Sequence, residues 1–199
     1  MTSKNLVGTA LAALTAVVLA GCGGSDSGSH GSTHTTTTTA AATASASTER
    51  NDADIAFAQG MIPHHEGAIE MSKLAQGRTT NPKVLDLAAR IEQAQDPEIK
   101  TMTAWLTAWG AAPTGGHDGH GTSMPGMMSH EEMEKLEQAK DADFDKLFLE
   151  GMVKHHQGAI DMSNTELQQG VNAEAKKLAQ QIIEAQQKEI DEMNALLRG

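Results

Sequence analysis

Cysteine is almost missing from this chain: of 199 residues only Cys22 carries a thiol. A disulfide within the chain is excluded, as is any thiolate-based zinc or iron–sulfur site. A soft metal ion would have to be met by methionine thioethers instead. Cations are scarce too, with 15 Lys and Arg against 26 Asp and Glu and a formal net charge of -11. No basic stripe is available to displace counterions from phosphates, so nucleic acid is not an expected partner. The chain also has no Glu-x-x-His, the motif that di-metal oxidase bundles use in pairs. One long uncharged apolar run exists, Leu6 to Leu19, and it is too short to span a bilayer comfortably.

That run follows Lys4 and reads as the core of a signal peptide over residues 1–21. The tetrapeptide Leu19-Ala20-Gly21-Cys22 resembles the lipobox of bacterial lipoproteins. It implies lipidation at Cys22 and an exported protein held at the membrane of the cell envelope. Cleavage by ordinary signal peptidase, or an uncleaved anchor, is the alternative. Residues 22–48 are Gly, Ser, Thr and Ala with little else, too few apolar groups to offset the entropy of ordering, and read as a disordered tether. Its histidines, His30 and His34, read as tether residues.

What the chain does contain is an internal repeat at a constant offset of 91 residues. Asp54, Phe57, Gly60, Met61, His64, His65, Gly67, Ala68, Ile69, Met71 and Ser72 match Asp145, Phe148, Gly151, Met152, His155, His156, Gly158, Ala159, Ile160, Met162 and Ser163. Downstream, Leu87, Ile91, Gln95, Glu98 and Met102 match Leu178, Ile182, Gln186, Glu189 and Met193. Apolar residues recur at three- and four-residue spacing in both halves of each copy, so each copy is a helical hairpin. Asn81-Pro82 and Asn172 supply helix starts, and Gly77, Gly110 and Gly170 supply stops. Ser129 with Glu132 forms a capping-box signature for a short helix over roughly 130–139, before the third main helix begins near Asp143. Two amphipathic hairpins bury their stripes most simply against each other, which predicts an all-α fold, a ferritin-like four-helix bundle. The bundle is predicted over 49–199, with hairpins at 50–110 and 129–198 and a Gly/His/Met-rich linker at 111–128.

At 100° per residue, His64 and His65 flank the buried stripe, and Glu98 falls at the middle of the second helix's apolar face beside Gln95. The repeat places His155, His156, Gln186 and Glu189 alike. A buried carboxylate needs a partner or a cation, and the histidines of the facing helix supply one. Either the imidazoles and carboxylates form one or two metal sites, or each hairpin holds a His–Glu pair that fixes helix register. Met61 and Met152 are candidate thioether ligands but also sit at core spacing. In the linker, His117, His120, Met124, Met127 and Met128 crowd together with no core to serve, a donor set suited to Cu(I) or Ag(I). Pro63 and Pro97 lie inside helical patterns of the first copy only and are expected to kink them.

The doubled pattern Phe-x-x-x-Met-x-x-His-His-x-x-Ala-Ile-x-Met, followed in each copy by Gln-x-x-Glu-Ile, resembles the bacterial domain-of-unknown-function family 305 over about residues 50–198. The resemblance implies an exported ferritin-like bundle, and for some members copper binding and tolerance. It brings no agreed catalytic residues. The expected function is binding or buffering of copper or silver at the cell envelope. A metal-dependent oxidase, or a module with a histidine core that titrates near neutral pH, is the alternative. The sequence leaves a homodimer open and names no protein partner.

Overall fold

A computed structural model describes residues 49–113 and 124–199, and these form five α-helices. They are α1 (Asp52–Leu74), α2 (Pro82–Trp109), α3 (His130–Gln138), α4 (Asp141–Gln169) and α5 (Ala173–Arg198). The punctuation acts as the chain chemistry requires. Asn51 accepts from the backbone N–H of Ala53 and Asp54 while Asp54 reaches back to Asn51, a reciprocal box opening α1. Asn81 caps α2 with Pro82 at its first position, Ser129 and Glu132 box α3, and Asn172 caps α5. Gly110 closes α2 in the left-handed region, φ 68°, at no side-chain cost. The third main helix starts at Asp141, two residues earlier than the sequence reading. Both inner prolines, Pro63 and Pro97, are accommodated within unbroken α1 and α2.

α1 packs on α2, α4 packs on α5, and the two hairpins meet through α1 and α4. Two apolar clusters divide the interior. One gathers the C-terminal half of α1, the start of α2, Leu136 of α3, the N-terminal half of α4 and the end of α5. The other gathers Phe57 and Met61 of α1, Met102 to Trp109 of α2 and the start of α5. Between them in sequence, on every long helix, lies a polar step. It is His64-His65 on α1, Gln95 on α2, His155-His156 on α4 and Gln186 on α5, all buried. The polar residues therefore occupy a layer with apolar packing on both sides.

The hairpins are tied by reciprocal contacts near their turns. Asp54 at the start of α1 accepts from the backbone N–H of Val171 (3.1 Å) and Asn172 (2.9 Å). Asp145, its counterpart, accepts from the side-chain amide of Asn81 at 2.7 Å. Arg90 of α2 joins Glu192 of α5 at 2.6 Å.

Beneath the Asp54 tie is a second buried carboxyl, Glu166 of α4, only 1% exposed. Burial first, and then Asp54, push its pKa up to about 8. Burial also opposes ionisation of Asp54, but the backbone N–H groups of Asn172 and Asn51, with Glu166, hold that carboxyl below its ordinary value. Among the described residues no donor reaches either Glu166 oxygen, so an ionised Glu166 would stand buried and unpaired beside the Asp54 carboxylate. From Glu166's ordinary value of 4.5 up to about 8, the folded chain keeps a proton that the unfolded chain has lost. Its contribution to stability is thus complete below that range and lost as pH rises through it. Glu166→Gln keeps a donor facing Asp54 without titrating. Urea midpoints should fall for the natural chain from pH 6.5 to pH 8, whereas the variant should lose less over that interval.

Candidate metal centre

The four motif histidines are sealed in the polar layer; none exceeds 1% exposure. Their positions on α1 and α4, the pair through which the hairpins meet, bring His64 and His155 together with ring centroids 3.8 Å apart and planes tilted by 46°. The outer two are fixed by the second helix of their own hairpin. His65 Nε2 donates to Glu98 Oε2 at 2.7 Å, and His156 Nε2 donates to Glu189 Oε2 at 2.6 Å. In both, the other ring nitrogen, Nδ1, is buried with no partner among the described residues. A carboxylate that holds one nitrogen of an imidazole and leaves the other free is the usual way a metal-ligating histidine is oriented.

The inner two have a different environment. His64 Nε2 donates to the backbone carbonyl of Pro125 at 3.0 Å, and its Nδ1 has no partner among the described residues. Among the described residues His155 makes no well-formed hydrogen bond at either nitrogen, the His64 backbone being its nearest polar neighbour. Burial lowers the pKa of His64 to about 4 and puts His155 well below its usual value, with neighbouring histidines adding to the latter effect. Both rings are therefore neutral at pH 7, the form that offers a lone pair to a metal ion. An orphaned buried imidazole costs about 1–3 kcal/mol, and nothing in the apolar packing returns that cost.

Over these rings runs a strap, Met124 to Met128, turned by a bond from the Met127 N–H to the Met124 carbonyl (3.2 Å). Three glycines seat it. Gly126 adopts φ 80° and lies so close to α4 that a Cβ there would stand 2.3 Å from the Lys154 carbonyl oxygen. A Cβ on Gly158 would meet the Pro125 carbonyl at 1.9 Å. At Gly67 the position of a Cβ is 3.3 Å from Met127 Sδ and 3.4 Å from His155 Nε2, so thioether and imidazole border the same small space.

The structure brings together His64, His65, His155 and His156 with Glu98, Glu189 and Met127. It corrects the sequence reading at several points. Glu98 and Glu189 are not centred on the apolar faces: their side chains are 21% and 15% exposed, at the margin, and Gln95 and Gln186 are buried instead. Among the described residues neither polar atom of the Gln95 amide, nor Gln186 Oε1, has a partner. The linker methionines do serve a core, since Met128 packs against the first apolar cluster and Met127 lies on Gly67. Met61 and Met152 are fully buried in opposite apolar clusters. Met124 opens the strap and is partly exposed. His117, His120, Cys22, His30 and His34 lie outside the described residues. Among the described residues, no three His, Cys, Asp or Glu side chains stand grouped so as to hold a metal ion. The donors at hand are imidazole nitrogens, with the Met127 thioether at their border. Such a set fits a soft monovalent ion, content with two or three ligands, better than zinc, which asks for four.

Fold and site together define a class: an all-helical protein with paired histidines sealed at its centre. The chain belongs to the family described as Domain of unknown function (DUF305), whose model matches residues 54–197. It is similar to the crystal structure of a DUF305 protein of Streptomyces coelicolor classed provisionally as secreted. Identity is 32% and the TM-score 0.68, covering 73% of this chain and 92% of that one. It is also similar to CopM in a Cu(II)-bound form, at 32% identity and a TM-score of 0.63, covering 73% and 95%. CopM has been solved in Cu(I)-bound and Ag-bound forms as well. An uncharacterized protein of Acanthamoeba polyphaga mimivirus, L153, is 45% identical over 53 residues, a match spanning 27% of this chain and 35% of the viral one.

Proposed function

We propose that this protein binds copper(I) or silver(I) at the cell envelope, as an exported lipoprotein anchored through Cys22, and so buffers these ions. The observation that carries the reading is His155, buried beside His64 with neither nitrogen in a well-formed hydrogen bond among the described residues. A polar core kept only for helix register would give each histidine at least one partner, as Glu98 and Glu189 give His65 and His156. His64 and His155 would supply the imidazole donors that hold the ion, with His65 and His156 beside them, while Met127 borders the site without holding the resident ion. Glu98 and Glu189 orient rings rather than bind. The metal-bound forms of CopM support the same class of ion.

The test is a titration of the purified protein with Ag(I), Cu(I), Cu(II) and Zn(II), repeated on a variant lacking residues 114–123 and with His30 and His34 replaced by Ala. Tight binding of the monovalent ions that survives these changes is expected, with Zn(II) weak. At free ion a hundredfold above Kd, unfolding should become harder by about 2.7 kcal/mol. Binding that disappears with residues 114–123 would move the function out of the bundle and sink the proposal.

A further inference from the structure

The four histidines are closed off from solvent, so an ion bound there must have a way in. Beside the strap is a cavity of about 80 Å³, lined by Met127, Met128, Leu147 and Gly151 with Glu132, Glu150 and two lysines at its rim. Both methionines are partly exposed. The charges around it are largely spoken for: Glu132 faces Lys154 at 3.6 Å and Glu150 faces Lys146 at 2.9 Å. What the cavity offers an incoming ion is therefore sulfur. Met128 Sδ stands 3.2 Å from the position of a Cβ on Gly151, a point shared with the Met71 methyl, so it lies on α4 at the cavity wall. Met127 has two faces. One lines this cavity, and the other borders the space at Gly67 that His155 Nε2 also borders.

Resting on the metal-binding reading above, we propose that this cavity is the uptake site for a soft monovalent ion, held first by the thioethers of Met127 and Met128. Met127 then hands the ion past Gly67 to His155. Thioethers bind hard divalent ions poorly, so the port discriminates before the ion reaches imidazole, a ligand that would also accept zinc. Glycine at position 67 keeps the passage open: a methyl there would stand against Met127 Sδ and His155 Nε2 alike.

The test uses the full chain with His30, His34, His117 and His120 replaced by Ala, and follows the colour lost from a weak Cu(I) chelator in a stopped-flow instrument. Met127→Leu conserves volume and removes only the sulfur. Gly67→Ala removes no donor, favours the helix and narrows the passage. Both should slow uptake by about tenfold or more, with the number of Cu(I) ions bound at saturation unchanged. Rates equal to the parent in both variants would overturn the uptake route while leaving histidine binding intact. So would the loss of a bound ion in Met127→Leu, because Met127 would then be a resident ligand. If the parent itself takes up no Cu(I), the metal-binding reading fails and the route fails with it.

Discussion

The metal-free His155→Leu variant should be more stable than the natural chain, and it should no longer be stabilised by silver. Both halves follow from one fact: His155 is 1% exposed and, among the described residues, neither of its nitrogens is in a well-formed hydrogen bond. Leaving a buried polar group unsatisfied costs about 1–3 kcal/mol, and replacing it with an apolar group of similar size removes that cost. A gain of that order in the urea-derived unfolding free energy is therefore expected. The stabilisation of about 2.7 kcal/mol expected at a hundredfold excess of free Ag(I) over Kd should largely vanish. His65→Leu should behave oppositely in the metal-free state. It strips Glu98 of its hydrogen bond (2.7 Å) at a site only 21% exposed, and the carboxylate left behind should cost stability. Histidines present for packing alone would show a loss in both variants. Denaturation of the two variants with and without Ag(I) separates the cases, and a destabilised His155→Leu that still responds to silver would refute the assignment.

The difference between these two histidines was only half legible in the chain. Helix starts at Asn81, Ser129 and Asn172 could be read from residue type, because caps act over three residues and need no tertiary context. The 91-residue offset likewise announced that whatever held His65 would hold His156, and the His65–Glu98 and His156–Glu189 bonds agree. Periodicity failed one step further on. It centred Glu98 on the apolar face, whereas a carboxylate with a long stem settles at the margin, its acid toward solvent and one oxygen on the histidine, while Gln95 takes the centre. The Asp54–Glu166 pair was invisible for a different reason. Glu166 has no charged counterpart in the first copy, where Ala75 stands, so the repeat gave no hint of it. The strap was missed because composition in a Gly- and Met-rich linker looks the same whether it is free or seated. A signal did exist. Glycines at 60 and 67, and again at 151 and 158, fall seven apart on one face of helices otherwise rich in good helix formers, at a cost of about 1 kcal/mol each relative to alanine. Such a cost, met four times over, points to something that must come close.

Gly158→Ala tests that closeness where it is tightest. Three effects compete. Alanine in a helix interior gains about 1 kcal/mol over glycine. Against this, its Cβ would fall 1.9 Å from the Pro125 carbonyl oxygen and 2.5 Å from the carbonyl carbon, both backbone atoms that cannot swing aside. Overpacking of this kind costs about 1–3 kcal/mol, and moving the strap also surrenders the bond from His64 to Pro125, worth about 1 kcal/mol. The net expectation is a destabilisation of about 1–3 kcal/mol. Gly67→Ala meets only the movable end of Met127 and His155 Nε2 at 3.4 Å, and should lie near zero. The kinetic consequences should diverge as well. Lifting the strap exposes His64 and His155, so Gly158→Ala should exchange Cu(I) faster than the natural chain, while Gly67→Ala exchanges it more slowly. Equal urea midpoints for the two alanine variants would mean that the strap yields as easily at its backbone as at a methionine side chain. It could not then be the closure that keeps the histidines dry.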